Sequence, residues 1–85
     1  MSNLETNIEK TGLSVSLILG QLRSRVSAYD AQLILDSAII SSGMEVEKDT
    51  DLSKEDAKTL CLSLIKRGGP AFQVGSTLYR TYKLN

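Results

Sequence analysis

Few side chains in this sequence could do chemistry. Of 85 residues, ten are Asp or Glu, ten Lys or Arg, three Tyr and one Cys, and His is absent. Without His the commonest general acid-base group is missing, so hydrolysis or group transfer would fall to carboxylates, Lys or Tyr. The single Cys61 cannot form an internal disulfide, and with no His and no second Cys a zinc site of N and S ligands is excluded. It lies in an apolar stripe, where a thiol away from cations stays protonated and packs as a small hydrophobe. No Gly-rich phosphate loop follows a strand, and there is no nucleophile elbow. Asp49, Asp51 and Ser53 alternate like the first three ligands of an EF-hand. The sixth position of such a loop is Lys54 where Gly must make the turn, and the twelfth is Leu60 where a bidentate Glu is needed. The expectation is a protein that is not an enzyme and uses no metal or cofactor.

Binding chemistry remains. Formal net charge is zero, yet residues 30–56 hold eight acids against Lys48 and Lys54, while residues 57–85 hold five bases and no acid. Such a chain folds into a molecule with an acidic end and a basic end, which steers charged partners or favours self-association. Lys66 and Arg67 close one predicted helix, and Tyr79, Arg80, Tyr82 and Lys83 interleave bases with rings further on. Those six residues are the predicted partner-binding surface. The partner is expected to be another protein or a second copy of the chain. Nucleic acid is the alternative, because cations meet phosphate and rings stack on bases. No apolar run approaches the length needed to cross a bilayer and the start lacks a signal-like segment, so a cytoplasmic protein is expected.

Positioning these residues requires a fold, and the apolar spacing outlines one. Residues 1–12 carry only Leu4 and Ile8 among polar residues and read as a loose tail ahead of a single domain over 13–85. Val15, Ile18, Leu19, Leu22 and Val26 repeat at helical spacing and predict a first helix over about 13–26, with Gly20 inside it either tolerated or marking a close approach. Ser27 with Asp30 makes a cap, and Ala31, Ile34, Leu35, Ala38 and Ile39 form the stripe of a second helix that ends at Gly43. Met44 to Glu47 alternate as a short strand. Ser53 and Asp56 repeat the cap after Leu52, and Ala57, Leu60, Cys61, Leu64 and Ile65 give a third helix to about Arg67. The caps and stripes of these two helices align at an offset of 26 residues.

Gly68-Gly69-Pro70 reads as a firm stop. Beyond it, Ala71 to Tyr82 is rich in aromatic and β-branched residues, with Gly75-Ser76 placed as a hairpin turn or a bend in one long strand. Phe72 and Val74 are expected to close the core. The predicted class is therefore α+β, three helices with a small antiparallel sheet or C-terminal hairpin. Three helices and a hairpin also match the order of a winged helix-turn-helix, whose wing tip would be Gly75-Ser76.

From Ser27 onward, the order of capped helix, short strand, the helix begun by Leu52-Ser53-Lys54-Glu55-Asp56-Ala57-Lys58-Thr59-Leu60, and the alternating stretch from Gly69 to Val74 resembles the C-terminal domain of the bacterial ribosomal stalk protein. The likeness covers roughly half of the chain. It implies a compact α+β fold. That family engages translation factors through a Gly-Leu-Gly-Leu turn beside a basic helix. Here the corresponding residues are Ser24-Arg25-Val26-Ser27-Ala28, with Arg23 and Arg25 as the basic counterparts.

Overall fold

The computed structural model describes residues 10–85. The tail expected over residues 1–12 therefore falls, as far as residue 9, outside the described residues. Lys10–Ser14 forms β1, which pairs antiparallel with β2, Asp51–Ser53, with Lys10 opposite Ser53 and Ser14 opposite Asp51. The ladder is irregular between those pairs, where Gly12 takes a left-handed φ of 84°. Thr11 Oγ1 secures the ribbon by donating to the Leu52 carbonyl at 3.1 Å. The strand expected over 44–47 is instead part of the connection leading to β2. Only Met44 and Val46 supported it, and they settle half-buried against the core without a strand partner.

Each strand runs straight into a capped helix. Ser14 Oγ accepts from Leu17 N and opens α1, Val15–Arg23, while Ser53 Oγ accepts from Asp56 N and opens α3, Lys54–Arg67. The second helix, α2, covers Ala28–Ser42 between the Ser27 cap and Gly43, whose φ of 69° supplies the left-handed stop. The starts of α2 and α3 follow from the cap and stripe pattern, whereas the first helix, expected over about 13–26, spans only Val15–Arg23, with Leu13 in β1 and Val26 in the turn beyond.

The fourth element overturns the predicted class as stated. Gly69–Thr81 is a helix, α4, so the described residues hold four helices and a two-stranded antiparallel sheet, with no C-terminal hairpin. Pro70 sits in the first turn of α4, where its missing N–H costs nothing, so the same Gly-Gly-Pro that ends α3 also begins α4. Ala71, Val74, Gly75 and Leu78 are its buried residues, the i, i+3, i+4, i+7 rhythm of a helix. Burial of that stripe outweighs the β-propensity of Phe72, Tyr79 and Tyr82, which is a weak preference beside packing. Gly75 is not a turn. A Cβ built there would lie 2.7 Å from the Cys61 carbonyl oxygen and 3.0 Å from Leu64 Cβ, so its bareness lets α4 lie directly on α3.

The C-terminal end of α4 closes by a Schellman motif. Leu84 N donates to the Tyr79 carbonyl and Lys83 N to the Arg80 carbonyl, with Lys83 itself at φ 52° and Leu84 wholly buried.

Two hydrogen bonds outside the ribbon orient the helices. Ser16 N donates to the Lys48 carbonyl, putting the end of the α2–β2 connection beside the start of α1. Arg25 Nη1 donates to Gln73 Oε1 at 2.6 Å, putting the α1–α2 turn beside the first turns of α4. Thus α1 and α3 leave the ribbon while α2 and α4 return toward it. In this up-and-down arrangement α2 and α4 each touch both α1 and α3. Leu13, Ile18, Leu22, Leu35, Leu60, Leu64, Val74 and Leu84 fill the centre with essentially no exposure. Each fully buried Leu or Ile contributes roughly 1.5–3 kcal/mol against leaving it in water. Phe72 does not join them: it is 47% exposed, because it lies off the 71–74–78 stripe.

Candidate protein-binding face

The six residues predicted to form one surface are divided by the fold. Lys66 and Arg67, both exposed, end α3 at the pole away from the ribbon. Arg80 and Lys83 lie a helix length further on, about 18 Å along α4 at 1.5 Å per residue, at the end of α4 that returns toward the ribbon. Tyr79 and Tyr82 are partly buried against the core, so neither presents the freely exposed ring expected of a strand. Lys83 occupies the left-handed position of the α4 cap, which gives it a structural reason to be placed as it is.

Folding also gathers charges that are remote in sequence. Arg23 ends α1 and Arg25 follows it, and the Arg25–Gln73 hydrogen bond brings this turn to the start of α4, the same pole as Lys66, Arg67 and the exposed Phe72. The opposite pole carries an acidic cleft of about 360 Å³ lined in part by Glu45, Glu47, Asp51 and Asp56, with Lys10 beside them. Of its lining residues, Ser53 caps α3 with its hydroxyl and Lys10 Nζ donates to the Asp51 carbonyl at 3.5 Å. Among the described residues, no group of three or more acidic or thiol side chains converges as metal ligands. Cys61 is buried, and loss of solvation raises its thiol pKa to about 12, so it remains an uncharged core residue.

The second helix shows what the stripe analysis passes over. Its core stripe is Ala31, Ile34, Leu35 and Ala38. On the opposite side Tyr29 is 76%, Leu33 48% and Ile40 78% exposed. At 100° per residue these three fall within about 40° of one another and directly away from the core. The helix is therefore apolar on two sides, although among the described residues it has neighbours on only one. Beside this ridge, α2 and α3 enclose an open groove of about 530 Å³. Buried Ile34 and Ala38 form its floor, exposed Leu62 and small hydroxyl residues such as Ser37, Ser41 and Ser63 line its sides, and Lys66 and Arg67 are also part of the lining. Tyr29, Leu33 and Ile40 were visible in the sequence as apolar residues off the helical stripe, a signal that the search for one amphipathic face discards.

Set against protein-family models, curated proteins and solved structures, the chain matches none of them. The order of elements that suggested the ribosomal stalk domain ended in a terminal strand, and that segment is α4. No helix among the described residues is long and apolar enough to cross a membrane.

Proposed function

We propose that this chain is a small non-enzymatic module that binds another protein through the outward side of α2 and the α2–α3 groove, with Lys66 and Arg67 at the margin of the contact. The observation that carries this reading is the second apolar side of α2. Leu33 and Ile40 stand in water two turns apart, Leu62 is exposed on the neighbouring helix, and the groove between the helices is floored with aliphatic carbon. An apolar patch rimmed by polar and charged residues is the usual form of a protein contact site. Leu33→Glu with Leu62→Glu tests it. Both residues are exposed, so far-UV circular dichroism should be unchanged, while proteins retained from host extract by the parent chain should be lost. Undiminished retention by the folded double variant would refute the assignment.

One observation favours a second reading, nucleic-acid binding at the pole that carries Arg23, Arg25, Lys66 and Arg67 together with the exposed ring of Phe72. A winged helix no longer supports it, since Gly75-Ser76 lies inside α4. Anisotropy titration of a short labelled oligonucleotide at low salt separates the two readings. Binding that weakens steeply with salt and disappears in Arg23→Glu/Arg25→Glu would favour nucleic acid, and absence of binding at micromolar protein removes it.

A further inference from the structure

The outward side of α3 shares its spacing with the exposed Tyr29, Leu33, Asp36 and Ile40 of α2 but, unlike that row, ends in opposite charges. Glu55, Thr59, Leu62 and Lys66 follow at steps of 4, 3 and 4, the spacing of a helix-pairing seam, and all four are exposed. Acid stands at one end and base at the other, three turns and about 16 Å apart. Thr59 and Leu62 lie between them, and Ile40, next to the groove-lining Ser41, adds exposed apolar surface alongside. A seam with opposite charges at its two ends and apolar atoms at its middle is complementary to itself reversed. When a copy is turned end for end, Thr59 meets Leu62, and each Glu55 meets a Lys66 at both ends simultaneously.

We propose that this face binds a second copy of the chain, the two α3 helices lying antiparallel about a two-fold axis between Thr59 and Leu62, so that Glu55 of each copy pairs with Lys66 of the other. The proposal rests on the reading of the α2–α3 side as a protein-binding face and names its occupant. Two further features support a like partner. Formal net charge is zero, so copies approach without overall repulsion. The groove walls are Ser37, Ser41 and Ser63, small side chains that let a neighbouring helix come close. A closed two-fold contact needs such an isologous patch.

Sedimentation equilibrium of the full chain tests the proposal, with charge reversals that self-complementarity makes decisive. The parent should sediment at twice its 9.3 kDa mass at high micromolar concentration. Lys66→Glu and Glu55→Lys should each weaken self-association about tenfold, since each places like charges together at both ends of the seam. Mixing the two single variants should restore association as a mixed pair, because a chain acidic at both ends then faces one basic at both ends. The double variant carrying both reversals should self-associate like the parent. Circular dichroism confirms that each variant remains folded. A parent that stays monomeric overturns the proposal. So does a dimer whose affinity is indifferent to the reversals, which would lie on another surface. Neither result touches the broader reading: if Leu33→Glu/Leu62→Glu still abolishes capture from host extract, the same face binds a different protein.

Discussion

Gly75→Ala is the sharpest test of the architecture, because two known effects act there with opposite sign. Alanine in a helix interior is favoured over glycine by about 1 kcal/mol. The new Cβ, however, would sit 2.7 Å from the Cys61 carbonyl oxygen, 3.0 Å from Leu64 Cβ and 3.1 Å from Ile65 Cγ1. The nearest of these is backbone and cannot rotate aside, so α4 must move off α3 by several tenths of an ångström. Overpacking of that kind costs roughly 1–3 kcal/mol. The net expectation is a loss of about 1 kcal/mol. Gly20 provides the control. It is exposed within α1 and nothing lies within 4 Å of its Cβ position, so Gly20→Ala should gain about 1 kcal/mol. The helical preference cancels between the two variants, and their difference of roughly 2 kcal/mol isolates the steric term. Urea unfolding at constant slope measures it directly, and thermal melts should separate the pair by roughly 10 °C at 4–8 °C per kcal/mol. Gly75→Ala at least as stabilising as Gly20→Ala would refute close packing of α4 on α3. A hairpin turn at Gly75 would also suffer from alanine, so the helical amplitude in circular dichroism must accompany the measurement.

The left-handed Lys83 offers an independent check on how α4 ends. Lys83→Gly should stabilise by about 0.5–1 kcal/mol by relieving strain at the cap, whereas in a terminal strand glycine would destabilise. Ser53→Ala removes the acceptor for Asp56 N and should cost about 1 kcal/mol in thermal unfolding, with a similar loss for Ser27→Ala at α2. Leu64→Ala, at a wholly buried site facing α4, should cost roughly 2–5 kcal/mol, enough to unfold much of a domain this size at 37 °C. Cys61 sets an alkaline limit. Its thiol stays protonated in the fold to about pH 12 but ionises near 9 when unfolded, so the stability it supplies is intact below pH 9 and is lost as pH rises toward 12. Cys61→Ala should flatten that decline by on the order of 1 kcal/mol per pH unit, and an unchanged alkaline slope would contradict burial of the thiol.

What the sequence made legible follows from how local each signal is. The caps at Ser27 and Ser53 are read within four residues, and both helices they begin start where expected. Gly43 stops α2 for a reason confined to its own backbone. The ribbon is different. Five residues with a left-handed Gly12 and an irregular register carry no alternation, and β1 exists because β2, some forty residues away, pairs with it. The last helix failed for a third reason. Gly-Gly-Pro is punctuation with two meanings, an end to one helix and a start to the next. The 71–74–78 spacing that distinguishes them competes with aromatic residues suited to strands.

Topology parts the six residues expected to form one surface. Along the chain, Lys66 and Arg67 stand close to Arg80 and Lys83. In an up-and-down bundle one helix separates those pairs, so sequence neighbours one helix apart reach opposite poles, while Arg25, some forty residues earlier, reaches Gln73 at the start of α4, the pole where Lys66 ends α3. A complementary error concerns α2. Testing a helix for one apolar face selects Ala31, Ile34, Leu35 and Ala38 and leaves Tyr29, Leu33 and Ile40 unexamined as incidental. Among the described residues these three side chains stay largely exposed, and an exposed aliphatic or aromatic side chain gains nothing from water. A helix that packs on one side but is apolar on two has one more apolar side than the described residues cover, and on α2 that side lies beside the outward row of α3.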